Sequence, residues 1–119
     1  MLIIIPLIGC AQTKSETDIT VSELYKKMQS DTSLVILDVR TPAELESRLG
    51  KIDGVINIPV QELNQRIPEL EKYKSNNIAV ICRSGNRSVL ATKILLENGY
   101  IAKNVLGGMK AWESEIRKN

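Results

Sequence analysis

Residues 78–99 read IAVICRSGNRSVLATKILLENG, and the order of side chains in this stretch decides the fold. Ile78-Ala79-Val80-Ile81 is a short apolar run of the kind a sheet buries on both faces. Cys82–Arg87 is polar and turn-forming: Gly85 lets the chain curl, and Asn86 is a residue that tolerates positive φ. From Ser88 to Asn98, Val89, Leu90, Ile94 and Leu95 recur at helical spacing, and Gly99 stands where a left-handed C-terminal cap belongs. A buried strand that runs through a tight loop straight into a helix is one half of a parallel strand–helix–strand unit.

The same alternation extends in both directions. Upstream, Leu34–Val39 (LVILDV) reads as a second buried strand. Thr41-Pro42-Ala43-Glu44 reads as a helix start, with Thr as N-cap, Pro at the first helical position and Glu closing a capping box. Val55–Ile58 reads as a short strand, and residues 61–72 as a helical stretch that Pro68 must interrupt. Ile19–Val21 is a further short strand, with a helix opening at Ser22-Glu23 and carrying Leu24, Tyr25 and Met28 on one side. Downstream come a strand at Asn104–Leu106, a Gly107-Gly108 turn and a closing helix over Met109–Arg117 that carries Trp112. Strands separated by helices predict an α/β fold, a central and mainly parallel sheet with helices on both faces. Ligands in such sheets sit beyond the carboxyl ends of the strands, which brings Asp38, Arg40 and the Cys82 loop to one edge.

Composition narrows the chemistry. The 119 residues suffice for one hydrophobic core. Phe is absent and the net charge is only +2, so neither a base-stacking platform nor a basic stripe for nucleic acid is expected. Histidine is absent too, which removes Ser-His-Asp and Cys-His catalysis and any His-ligated metal. The two cysteines, Cys10 and Cys82, fit no metal-binding spacing, and neither metal nor cofactor is expected.

The remaining candidate is a thiol that works without an imidazole. A curled Cys82–Ser88 loop before a helix can turn its backbone N–H groups inward as an anion nest. Cys82 opens that nest, and the amides, Arg83 and Arg87 are surroundings that stabilise a thiolate. The plainer alternative makes Cys82 a small buried hydrophobe ending a strand. Two arginines, a glycine and a helix start within the next six positions favour the reactive reading.

Three segments resemble the rhodanese family of sulfurtransferases. Leu37–Glu44, continuing through Gly50–Pro59, resembles the first signature. Cys82–Arg87 is similar to the six-residue active loop, and Leu106-Gly107-Gly108-Met109-Lys110-Ala111-Trp112 resembles the C-terminal signature. The resemblance spans about Ile19–Ile116. It implies a rhodanese-like fold and a thiosulfate-type sulfurtransferase: Cys82 takes sulfane sulfur as a persulfide and passes it to a nucleophile such as cyanide or a thiol. Arg83, Ser84, Gly85, Asn86, Arg87 and Ser88 would bind the substrate. Asp38 and Arg40 would support the site, with Asp38 on loop amides and Arg40 in an ion pair. Lys51 stands where the family usually has histidine, and Asp53 where it has proline. A non-turnover sulfur carrier, sensor or interaction module is the alternative. Cysteine phosphatases place five residues between Cys and Arg; four separate Cys82 from Arg87. Trp112 and the glycine pair read as packing of the last helix.

The first residues, MLIIIPLIGC, carry an apolar run too short to span a bilayer. Leu7-Ile8-Gly9-Cys10 resembles a bacterial lipobox. It implies a signal peptide over 1–9, lipidation of Cys10, a polar tether over 10–18 and a rhodanese domain over 19–117. A monomeric domain on the cell envelope, facing periplasm or exterior and held to the membrane through Cys10, is the corresponding expectation.

Overall fold

The computed structural model of the chain describes residues 14–117; the signal-like segment and Cys10 lie outside the described residues. Five strands, β1 (Asp18–Ile19), β2 (Val35–Asp38), β3 (Ile56–Asn57), β4 (Asn77–Ile81) and β5 (Ile101–Val105), form one sheet. Their order is β1-β5-β4-β2-β3, and every neighbouring pair is parallel. The chain steps outward from β2 to β3, then crosses back to β4 and moves the other way to β5. The reversal therefore falls between β2 and β4, the place where open parallel sheets hold their ligands. Asp38 ends β2 and pairs with Ile81 at the end of β4, so Cys82 leaves the sheet at this point.

Alternating side chains divide the core in two. Val35, Leu37, Ile78, Val80 and Cys82 face Leu63, Leu70, Ala91, Ile94 and Leu95. These come from α3 (Val60–Arg66), a 3-10 helix (Ile67–Tyr73) and α4 (Arg87–Glu97). Ile36, Ala79, Ile81 and Val105 face the other way, onto Val21 and Leu24 of α1 (Val21–Ser30) and onto Met109 and Trp112. Trp112 belongs to α5 (Gly108–Trp112), which passes into a π-type turn at Glu113–Arg117. Its ring meets Tyr25 edge-on at 6.2 Å. The remaining short helix, α2 (Pro42–Leu45), follows β2.

Several element boundaries differ from those the sequence suggested. α1 is capped by Thr20, whose side chain and Glu23 form a reciprocal box, so Val21 is helical rather than extended. β5 begins at Ile101 and ends before Leu106; its outward Ile101 and Lys103 mask the alternation that Ala102 and Asn104 complete inside. The α-helix ends at Arg66 and tightens to 3-10 geometry around Pro68, which has no N–H to continue it. On α4, Val89 and Leu90 face solvent, 55% and 53% exposed. The buried stripe of that helix is Ser88, Ala91, Thr92, Ile94 and Leu95.

Candidate active site

The Cys82 thiol lies under its own loop, only 1% exposed. β4 delivers it to the sheet edge, and the loop then curls so that two backbone donors reach the sulfur. The Gly85 N–H donates to Sγ at 3.0 Å and the Ser88 N–H at 3.4 Å. The Ser88 hydroxyl is a third neighbour at 3.2 Å. Converging N–H groups before a helix are the anion-favouring arrangement expected from the residue order.

The curl depends on Gly85, which has φ of +106° and stands so close to Gly107 that an added Cβ would come 3.3 Å from its backbone nitrogen. Asn86 does not use its tolerance of positive φ: at φ −85° it sits in ordinary helical space and caps α4 without a side-chain hydrogen bond. Arg83, Ser84 and Asn86 are exposed around the loop. The start of α5 fastens it from below, with Met109 N–H on the Cys82 carbonyl at 2.8 Å and Lys110 N–H on the Arg83 carbonyl at 3.0 Å. A Cβ on Gly108 would lie 2.7 Å from the Arg83 carbonyl carbon and oxygen. The glycine pair is therefore part of the loop's support as well as packing for the last helix.

Arg87 does not point freely into solvent. Its two terminal nitrogens each reach one Glu44 carboxylate oxygen at 2.7 Å, a two-pronged pair. The Arg87 guanidinium holds the Glu44 carboxyl at about 2, well below its ordinary value, with Thr41 adding hydrogen bonds. Glu44 in turn raises the Arg87 pKa, and the Cys82 and Asp38 charges add to that effect. Glu44 is thus more than the capping-box residue that its position after Thr41-Pro42 suggested. It accepts from the Thr41 N–H at 2.9 Å while holding the loop arginine.

Asp38 and Arg40 pair with each other. Both side chains are buried, with Arg40 Nη2 at 2.7 Å from Asp38 Oδ2. Arg40 also donates to the carbonyl oxygens of Glu44 and Gly50, at 3.3 and 2.8 Å. Asp38 accepts the Arg40 backbone N–H at 3.1 Å. Asn57 bridges the carbonyls of Asp38 and Arg40, at 2.9 and 2.7 Å. This network fixes the path from β2 into α2, and so the position of Glu44 beneath Arg87.

Sequence reasoning passed over two residues of this assembly. Glu44 was legible only as a helix cap. Asn104, buried on β5, accepts the Ser88 hydroxyl proton and gave no signal within an apparently ordinary strand.

This fold and loop define a class. A family profile described as "Rhodanese-like domain" matches residues 20–115, and the chain belongs to that family. It is 35% identical over 100 residues to the putative sulfurtransferase YtwF of Bacillus subtilis, covering 84% of this chain and 93% of that protein. Against the thiosulfate sulfurtransferase PspE of Escherichia coli the identity is 35% over 74 residues, covering 62% and 69%. Among solved structures, a rhodanese-related protein from Thermoplasma volcanium superposes with a TM-score of 0.74 at 36% identity, over 83% of this chain and 92% of that one. Residues 20–115 form one rhodanese-like domain with sulfurtransferase relatives, and sulfur transfer is its general chemistry.

Proposed function

We propose that the domain is a thiosulfate-type sulfurtransferase whose sulfur-carrying residue is Cys82. The observation that carries this reading is the pair of backbone N–H groups, from Gly85 and Ser88, aimed at one buried sulfur. The Cys82 thiolate attacks the outer sulfur of thiosulfate; the S–S bond of the donor breaks and sulfite leaves with its electron pair. The enzyme then holds a Cys82 persulfide whose terminal sulfur bears the negative charge. Donors fixed in place before that charge arrives stabilise it without reorganisation. Cyanide, or a thiol in the cell, takes the terminal sulfur and returns the Cys82 thiolate. No general base is needed once the thiol is ionised, in keeping with a chain that lacks histidine.

In this reading Arg83, exposed on the loop, draws in the anionic donor, while Ser84, Gly85, Asn86 and Ser88 shape the loop around it. Arg87 supplies positive charge beside the sulfur from a position Glu44 has fixed. Thiocyanate production from thiosulfate and cyanide, compared between the native chain and Cys82→Ser, tests the proposal. Turnover that vanishes in the variant supports it; turnover that survives refutes the role of Cys82.

Sulfur carriage without turnover is the second reading. It is favoured by the 38% identity over 96 residues to the putative sulfur carrier protein YrkF of Bacillus subtilis, of which this chain spans half. Carriage predicts a stable Cys82 persulfide that cyanide discharges only once per donor pulse.

The lipobox-like Leu7-Ile8-Gly9-Cys10 supports a further proposal: cleavage before Cys10 and lipidation there, with the domain on the outer side of a membrane. Mass spectrometry of protein made in its native host tests it. A lipid-modified chain beginning at Cys10 supports the anchor, and an unmodified chain containing Met1 refutes it.

A further inference from the structure

The Ser88 hydroxyl stands between two partners and has one proton to give. On one side is Cys82 Sγ at 3.2 Å; on the other is Asn104 Oδ1. Which way the proton points depends on which end of the Asn104 amide faces Ser88. Asp18 settles that: its carboxylate oxygen Oδ1 can only accept, and it takes a hydrogen bond from Asn104 Nδ2 at 3.2 Å. The amide nitrogen is therefore turned toward Asp18 and the amide oxygen toward Ser88. Asp18 is itself held, with Oδ2 accepting from the Ser15 N–H and hydroxyl at 3.1 Å each. Ser88 is fully buried and Asn104 is 3% exposed, so no solvent competes for the bond between them.

We propose that Asn104, oriented by Asp18, is a positioning residue that withholds the Ser88 hydroxyl proton from Cys82 until the sulfur is charged. This rests on the reading of Cys82 as the reactive thiol and adds to it a third, switchable donor. While the sulfur is a thiol, the Ser88 O–H bond points to Asn104, and the Ser88 oxygen accepts the S–H proton. When the S–H bond breaks, its proton leaves to water and the electron pair stays on sulfur. The Ser88 hydroxyl then rotates about its C–O bond, exchanging an amide acceptor for an anionic one. The two backbone donors are permanent, because Gly85 and Ser88 N–H have no such choice. Asn104 and Asp18 touch neither donor nor acceptor; they act through Ser88.

The test follows the thiolate absorbance of Cys82 in the resting full chain at neutral pH, with no sulfur donor present. The Cys82→Ser variant is the blank, so any contribution of Cys10 subtracts. Asn104→Leu removes the competing acceptor at similar volume. It is expected to raise the thiolate-to-thiol ratio roughly tenfold, the worth of one hydrogen bond to a charged acceptor. Asp18→Ala frees the Asn104 amide to turn and raises the ratio by less. In a Ser88→Ala background, Asn104→Leu changes nothing. A folded Asn104→Leu variant with an unchanged or lower ratio overturns the proposal, as does an equal rise in the Ser88→Ala background. If Asn104→Leu does not fold, Asp18→Ala on the half-buried edge strand decides by the same two criteria. The readout involves no sulfur transfer. A chain that responds here yet forms no persulfide would refute the proposed activity alone; an active chain whose thiol does not respond would refute the positioning role alone.

Discussion

Arg87 is gripped by Glu44 through two N–H···O bonds of 2.7 Å that join the first turn of α4 to the first turn of α2. The two lie 43 positions apart in sequence, and the bond ties the loop after β4 to the element after β2. The Arg87 guanidinium is thereby held in place by the fold itself. Glu44→Gln keeps the size and one acceptor but loses the charge and the two-pronged geometry. It is expected to lower sulfur-transfer kcat/KM by about tenfold while leaving the fold intact, as steady-state thiocyanate assays would show.

The same pair sets a pH dependence. The Glu44 carboxyl is held at about 2 against an ordinary value of 4.5. A carboxylate depressed in the folded state contributes stability that is complete above its unfolded value and is lost as pH falls toward the folded one. The melting-temperature difference between the native chain and Glu44→Gln is therefore constant above pH 4.5 and closes between pH 4.5 and 2. Both side chains are about a third exposed, so the contribution is about 1 kcal/mol at most.

Asp38 and Arg40 form a different kind of pair, 0% and 1% exposed. Removing one partner strands the other charge in the core. Arg40→Met and Asp38→Asn are each expected to cost about 3–5 kcal/mol, measurable by urea denaturation. The double variant Asp38→Asn/Arg40→Met is expected to recover part of that loss, since no unpaired charge remains.

Gly108 combines φ of +56° with an approach to the Cys82 and Arg83 backbone that leaves no room for a Cβ. Gly108→Ala is expected to destabilise the domain by about 2 kcal/mol or more. It should also displace the Met109 and Lys110 N–H groups from the loop carbonyls they hold. Lower protection at those two amides in the variant, seen as faster hydrogen exchange, would locate the damage at the loop.

Residues 78–99 announced the centre of this fold because three signals fell in sequence: a buried strand, a tight loop and a helical period. The capping box at Thr41-Pro42-Ala43-Glu44 was equally plain, since Thr41 and Glu44 satisfy each other locally. Long-range partners were not legible. Nothing within three residues of Glu44 indicates that its carboxylate also holds Arg87, and nothing around Asn104 shows that β5 will pair beside β4 and bring it to Ser88. Val89 and Leu90 misled for another reason. The stripe α4 buries includes the polar Ser88 and Thr92, so apolar spacing alone pointed two exposed side chains inward.

The proposed role of Cys82 as the carrier of sulfane sulfur is read out by intact-mass and peptide spectrometry of the chain after brief exposure to thiosulfate, before and after cyanide. The expected result is the mass of one added sulfur on the peptide containing Cys82, removed by cyanide and absent from Cys82→Ser. A native chain that acquires no sulfur at Cys82 from thiosulfate or from a persulfide donor would contradict it.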